Sequence, residues 1–422
     1  MSEAPREWKF VPLAHVCDVN PRDPGPEDHS TAVSFVPMPA VSDADGVILP
    51  HDIKPFTTVA KGYTRFREQD VIFAKITPCM ENGKIAIAEG LHGGFACGST
   101  EFHVLRSGPA ILPSYLWRFV RQESFRKDAE RHMTGAVGQR RVPAQYIKDA
   151  VIPVPPIPQQ RRIVARLDSL FNRSKSARLE LAHIPGLVKR YKQAVLSSVM
   201  NADENGHRWP QVPLGDLITE GPTNGYSPRS GENPRGTLSL KLTATTRGVM
   251  DLSDRAVKRL NEVIPKDSKF WLCPGDILIQ RANSLEYVGM AVIYDGPPQK
   301  YIYPDLMIRI RVASSTIGRW IWRYCLSASG RQYFMSNATG TAGNMPKING
   351  ATIRKMPIPL PPMDQLEALL GKVDRALDVI DALQGEAGRA QTLLDRLDQA
   401  TLAKAFRGEL TGVNSGRNHV VG

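Results

Sequence analysis

QQRRIVARLDSLFNRSKSARLELAHIPGLVKRYKQAVLSSVM, residues 159–200, decides the fold. Apolar or small residues fall at Ile163, Leu167, Leu170, Ser174, Ala177, Leu181, Ile184, Val188, Tyr191, Val195 and Ser198. The steps alternate four and three without a break, which is the heptad seam of a coiled coil. Residues 365–406, QLEALLGKVDRALDVIDALQGEAGRAQTLLDRLDQATLAKAF, repeat the seam 206 positions later. They place Leu369, Val373, Ala376, Ile380, Leu383, Ala387, Ala390, Leu394, Leu397 and Thr401 on it, and the seam frays at Lys404. A stripe this narrow wants a partner rod, and the simplest partner is the other copy. At about 1.5 Å per residue the paired seams span on the order of 55 Å. Pro185-Gly186 interrupts the first stretch, and Gly385 and Gly388 the second. An interior proline costs about 3 kcal/mol, so a bend or break is expected near residue 185.

The duplication reaches outward from the helices. Trp8, Val11, Pro12 and Leu13 return as Trp209, Val212, Pro213 and Leu214. Asp70-Val71-Ile72 returns as Asp276-Ile277-Leu278, and Leu116-Trp117-Arg118-Phe119 as Ile321-Trp322-Arg323-Tyr324. Thr134-Gly135 with Gly138-Gln139 returns as Thr339-Gly340 with Gly343-Asn344. The Pro-rich strap at 152–156 returns at 358–362. So long a period means domain duplication and not a solenoid. Each copy opens with a mixed segment of about 150 residues, an ordinary domain size. Short β-rich runs bounded by Gly, Pro and Asp are predicted at 71–76, 85–88 and 102–105, and at 238–242, 277–280, 290–294 and 306–312. Helices are predicted at 113–130 and 317–336, with their aromatics mainly in the core. The straps read as extended, semi-rigid leads into the rods. The expected class is α+β: mixed segments at 1–152 and 208–356, helical regions at 153–207 and 357–412, and a frayed, flexible tail at 413–422.

A formal charge of +12 on 422 residues points to a polyanionic partner, most simply nucleic acid. The five cysteines are scattered and form no C-x-x-C pair. The polar start MSEAPREWKF is unlike a signal peptide, no apolar run approaches a membrane span, and a reducing cytoplasm fits best. Catalytic motifs are missing: no phosphate loop, no G-x-G-x-x-G turn, no H-E-x-x-H and no G-x-S-x-G elbow. His92, Cys97 and His103 match no standard zinc spacing. Asn20-Pro21 lacks the following aromatic that would stack a flipped base. The chain is expected to bind and not to catalyse, with no metal site and no cofactor of its own.

Loops after the short strands carry the candidate contacts. In the first copy these are Lys75, Asn82 and Lys84, with Gln139, Arg140 and Arg141 in a second loop. In the second copy they are Gln280, Arg281 and Asn283, with Asn344 and Lys347. Arg or Lys can bridge guanine and Asn or Gln adenine, while loop glycines let backbone approach phosphate. The competing reading is ordinary polar turns. Framework is shared between the copies but side chains are not: Arg140-Arg141 aligns with Met345-Pro346, and Lys75-Ile76 with Arg281-Ala282.

Six strings, in order, resemble the specificity subunit of Type I restriction–modification systems. They are VIFAKITPCMENGK from Val71, PVPPIPQQRRIV from Pro153, and KRYKQAVL from Lys189 with its copy DRLDQATL from Asp395. The others are Gly275-Asp276-Ile277-Leu278 with Arg281, TGTAGNMPKI from Thr339 and LAKAFRGEL from Leu402. The resemblance covers nearly the whole chain. It implies a non-catalytic subunit with two target recognition domains, each reading half of a bipartite, asymmetric site in double-stranded DNA. The antiparallel helices would set the gap between the halves. It further implies two modification subunits that use S-adenosylmethionine, joined by restriction subunits that use ATP and Mg. A self-contained methyltransferase or nuclease, and a structural coiled-coil adaptor without base readout, are the competing classes.

Overall fold

Buried four-residue strands preceded by an Asp turn form the centre of each half of the molecule. The computed structural model describes residues 8–136, 138–229, 231, 233–340 and 345–410. The chain divides into two units, 1–182 with 389–422, and 183–388. The tail predicted at 413–422 lies outside the described residues, as does Asn344.

In the first unit, Val71–Ala74 sits between Phe102–Ser107 and Ile85–Ile87, with Cys17–Val19 on the outer edge, all antiparallel. All four of its residues are buried because the strand alternates between two cores. Val71 and Phe73 face Tyr115, Leu116, Phe119 and the long helices, through Ile163, Leu167, Leu402 and Phe406. Ile72 and Ala74 face Val36, Phe66 and Val104. A second sheet orders Asp52–Pro55, Ala32–Val36, Phe95–Gly98 and Thr64–Arg67, with its two central strands parallel.

The second unit repeats the plan. Ile277–Gln280 lies between Met307–Val312 and Ala291–Ile293, with Ile218–Asn224 outermost. Ile277 and Ile279 pack with Trp320, Ile321, Tyr324 and the long helices, through Leu196, Met200, Leu366, Leu370 and Val373. Leu278 packs the other way, with Leu240, Tyr294 and Tyr303. A three-stranded sheet of Val257–Arg259, Leu238–Leu240 and Tyr301–Ile302 stands where the first unit has four strands.

The Pro-rich straps are strands. Val151–Val154 pairs antiparallel with Lys9–Pro12, and Pro357–Pro359 with Gln211–Pro213. Each is half of a two-stranded sheet, where a proline costs no ladder bond on its open side. Both single helices predicted after the strands are split. Pro113–Val120 is followed by Glu123–Arg131, and Ser315–Leu326 by Ala328–Asn337. The second break is set by Ser327, whose hydroxyl accepts from Gly330 N at the new helix start. Trp117 and Trp322 are only half-buried, and their indoles donate to Ile85 O and Gly248 O at 3.0 Å each.

The long helices run Ile157–Met200 and Met363–Phe406. No break occurs at Pro185; the helix continues through it, and both Pro185 and Gly186 are exposed. The seam on either side of the proline demands one continuous rod, and that demand outweighs the local cost. Each unit contains half of each helix, packed antiparallel. In the first unit Ser174 Oγ donates to Asp398 Oδ1 at 2.7 Å, while Arg178 reaches Asp395 and Asp398 at 2.8 Å each. In the second unit Lys192 pairs with Asp381. The seam is covered less completely than its period suggested. Ile163, Leu167, Val188 and Val373 are buried, but Tyr191, Leu383 and Leu397 are 61%, 60% and 57% exposed. Two helices shield only the facing sides of one another, and Ile163, Leu167 and Val373 are closed over where a mixed segment adds a third wall. No helix is long and apolar enough to cross a membrane among the described residues.

Candidate nucleic-acid interface

In each unit the central strand runs out of its sheet into a loop, and a second, distant loop is stitched to it. The stitches match one for one. Lys75 N donates to Glu101 O at 2.9 Å, and Arg281 N to Leu306 O at 2.7 Å. Val142 N donates to Lys75 O at 2.8 Å, and Ile348 N to Arg281 O at 2.9 Å. Thr77 N donates to Arg140 O at 3.0 Å, and Asn283 N to Pro346 O at 3.3 Å. Thr134 and Arg141 exchange backbone bonds, as do Thr339 and Lys347. The two loops singled out in each half of the sequence, some 60 residues apart, are therefore one surface in each unit.

Within the first unit, Met80 is buried and anchors its loop, and Gly83, at φ +83°, turns the chain back toward the next strand. Asn82 and Gln139 are exposed and Lys75 is half-buried; among the described residues no ion pair holds Lys75. Lys84 Nζ donates inward to Val41 O at 2.5 Å, so this cation ties two loops together. Arg140 donates to Glu130 O at 2.7 Å. Arg141 is gripped by Glu101 through both ends of its guanidinium, at 2.9 and 2.7 Å. The Arg141 hydrogen bond is the leading influence on Glu101 and holds its carboxyl below the usual range against the opposing effect of burial. Behind the loops His103 is buried, with Nε2 2.8 Å from Val142 O and Nδ1 3.0 Å from Asn20 Nδ2. Burial, aided by Lys75, lowers its pKa, so the neutral ring donates from Nε2 to Val142 O and accepts from Asn20.

In the second unit Arg281 is half-buried, with a long contact of 3.4 Å to Asp305 O, and Lys347 is exposed. Neither forms an ion pair among the described residues. Gln280 is fully buried and its amide is spent. Its Nε2 donates to Thr245 Oγ1 at 2.8 Å and to Leu242 O at 3.2 Å, and its Oε1 accepts from Asn283 Nδ2 at 2.7 Å. The strand period explains this: Gln280 continues the buried run that begins at Ile277, and the loop starts only after it. Gln280 thus positions Asn283 and cannot itself reach a base.

Sequence reasoning passed over Glu101, and weighed His103 only as a metal ligand and Asn20 only as part of a base-flipping motif. Their importance lies in partners about 40 to 80 residues away, and no local pattern announces such contacts. Behind both surfaces lies a repeated ion-pair network. Asp70 accepts from Arg67 N at 2.8 Å and from Arg106 at 2.8 and 2.7 Å. Asp276 accepts from Cys273 N at 2.9 Å and from Arg311 at 2.6 and 3.2 Å. Each carboxylate caps the turn that starts the central strand and clamps the neighbouring strand, so the outgoing loop leaves from a fixed place.

Two α+β segments of one design each offer a loop surface, with cations that form no ion pair among the described residues, over a braced sheet. Comparison with known proteins shows what the chain is similar to. A model described as the Type I restriction modification DNA specificity domain matches residues 5–182. The specificity subunit of the Escherichia coli Type I restriction enzyme EcoEI is 24% identical over 453 residues, covering 85% of this chain and 76% of that protein. That of the E. coli enzyme EcoAI is 35% identical over 217 residues, covering 50% of this chain and 36% of its own length. A chain from a solved structure of a type I R-M system superposes with a TM-score of 0.75 at 22% identity, covering 97% of this chain and 100% of that one, and so shares the fold. The chain is thus similar, over most of its length, to the specificity subunits of Type I restriction enzymes, and residues 5–182 match the model of their DNA specificity domain.

Proposed function

We propose that the chain reads a bipartite, asymmetric DNA site, one half with each unit's stitched loops, and that the long helices set the spacer between the halves. The observation that carries this reading is the repetition of the same backbone stitches around different side chains. One framework presents Lys75, Asn82, Gln139 and Arg140 in the first unit and Arg281, Asn283 and Lys347 in the second. Asn344, in the latter's second loop by sequence, is proposed alongside them. A scaffold copied with its loops altered suits two half-sites of different sequence. Lys84 acts by tying two loops of the first unit together, Arg141 by holding the Glu101 carboxylate, and Gln280 by placing Asn283.

Methylation and cleavage come from partners in this proposal: two modification subunits carrying S-adenosylmethionine, with restriction subunits carrying ATP and Mg. The modification subunits dock on the helical pair. Leu187 and Tyr191 in one unit, and their repeat equivalents Leu393 and Leu397 in the other, are exposed apolar pairs one helical turn apart. That gives one equivalent patch per unit, matching two copies of one partner.

The test uses the full chain with its modification subunits and maps methylated adenines. Lys75→Ala should weaken one half-site and Arg281→Ala the other, each by roughly 5- to 50-fold, with a salt slope smaller by about one. Equal loss on both halves from either change would refute the assignment of one unit to each half.

A further inference from the structure

We infer that Glu101 is a base-reading residue of the first unit, its carboxylate neutralised and oriented by Arg141 so as to accept a hydrogen bond from an exocyclic amino group on a major-groove base edge, cytosine N4 or adenine N6. The inference deepens the proposed function and rests on it. Glu101 sits where the surface converges: its carbonyl accepts from Lys75 N at 2.9 Å, and its carboxylate meets Arg141 of the second loop. The Glu101 side chain remains 24% exposed and that of Arg141 41%. An ionised carboxylate has about four acceptor sites, and Arg141 occupies only part of them. A bare carboxylate among cationic loops would repel phosphate; one paired with a guanidinium adds no net charge, so the surface keeps its attraction for DNA.

The bland alternative is that the pair merely staples the two loops. The second unit argues against it. There the backbone stitches place Leu306 where Glu101 stands and Lys347, one residue beyond the Pro346 that the sequence offset aligns, where Arg141 stands, so the pair has no counterpart. The loops are nevertheless joined by the same backbone bonds. The framework does not need the ion pair, and exposed pairs of this kind contribute little to stability. A carboxylate fits the chemistry of amino-group recognition, which neither leucine nor lysine can perform. The two units therefore read by different means: the first adds a carboxylate acceptor held by a cation, which the matching positions Leu306 and Lys347 of the second do not supply.

The experiment maps the methylated motif made by the full chain with its modification subunits, wild type against Glu101→Gln. A second variant, Glu101→Leu/Arg141→Lys, installs the pair that the second unit already tolerates and keeps the fold while removing the acceptor. The expected result is a loss of roughly tenfold or more in discrimination at one base pair of one half-site, where the wild type demands cytosine or adenine. The other half-site stays unchanged. Binding of the purified full chain to duplexes randomised at that half-site reads the same preference where methylation is too weak to map. An unaltered preference in both variants, or an equal loss for every sequence, overturns the inference. A wild-type chain that shows no two-part preference at all would instead overturn the function on which the inference rests.

Discussion

Asp70 and Asp276 show how much of each reading surface depends on one side chain. Both are 2% exposed, both cap the turn before a central strand, and both take a forked Arg from the adjacent strand. Removing either carboxylate leaves a partly buried guanidinium short of its partner. Asp70→Ala or Asp276→Ala should therefore cost about 2–3 kcal/mol, read as a lower urea midpoint for unfolding. Asp276→Ala is cushioned by Glu220, which also holds Arg309 and Arg311. Acid should act on the same networks. Burial alone would raise the Asp23 pKa, but bonds from Arg67, Gly25 N and Arg106 outweigh it and leave the net pKa lowered. In the second unit, burial of Asp374 is likewise outweighed by Arg319 and Arg323. A carboxyl whose folded pKa is depressed contributes stability above its unfolded value of about 4. That contribution is lost as pH falls through the lower folded value. Stability followed by circular dichroism should thus decline below about pH 4, and Asp23→Asn should flatten the decline.

At the scale of elements, the long helices were the most legible feature and also the most misleading. A four-three period says which residues share a stripe; it is silent on what covers the stripe. Leu167 and Val373 are buried because the mixed segments close over them, while Tyr191, Leu383 and Leu397, on the same seams, stay exposed. Local propensity predicts a bend or break at Pro185, yet the surrounding seam carries the helix through without a break. The strand starts were legible because an Asp turn and a β-branched run are local signals. The Glu101–Arg141 pair and the burial of Gln280 were not, since each depends on segments far off in sequence. The exposed apolar pairs lead to a prediction. Leu393→Ser with Leu397→Ser should leave unfolding free energy within about 1 kcal/mol of the parent, because little is uncovered that was not already wet. The same change should weaken association with a modification subunit tenfold or more, measured by sedimentation of the mixed subunits. An unchanged association would place the partner elsewhere.

For the whole molecule, the decisive property is that each unit closes its own cores and carries its own stitched loops. The first unit's hydrophobic clusters contain no residue of the segment 183–388, and the second's none outside it. Residues 8–150 should then be exchangeable as a block for those of a relative, provided the strand Lys9–Pro12 keeps its partner Val151–Val154 and the core keeps its floor of Ile163, Leu167, Leu402 and Phe406. A donor segment with apolar residues at the positions of Tyr115, Leu116 and Phe119 satisfies that floor within the usual tolerance of a core to volume-conserving change. The exchanged chain, assembled with its modification subunits, should methylate a site in which one half is new and the other half and the spacer are as before. Mapping modified adenines reads all three at once. A wholly new site, or the parental one, would mean that the two surfaces do not read independently.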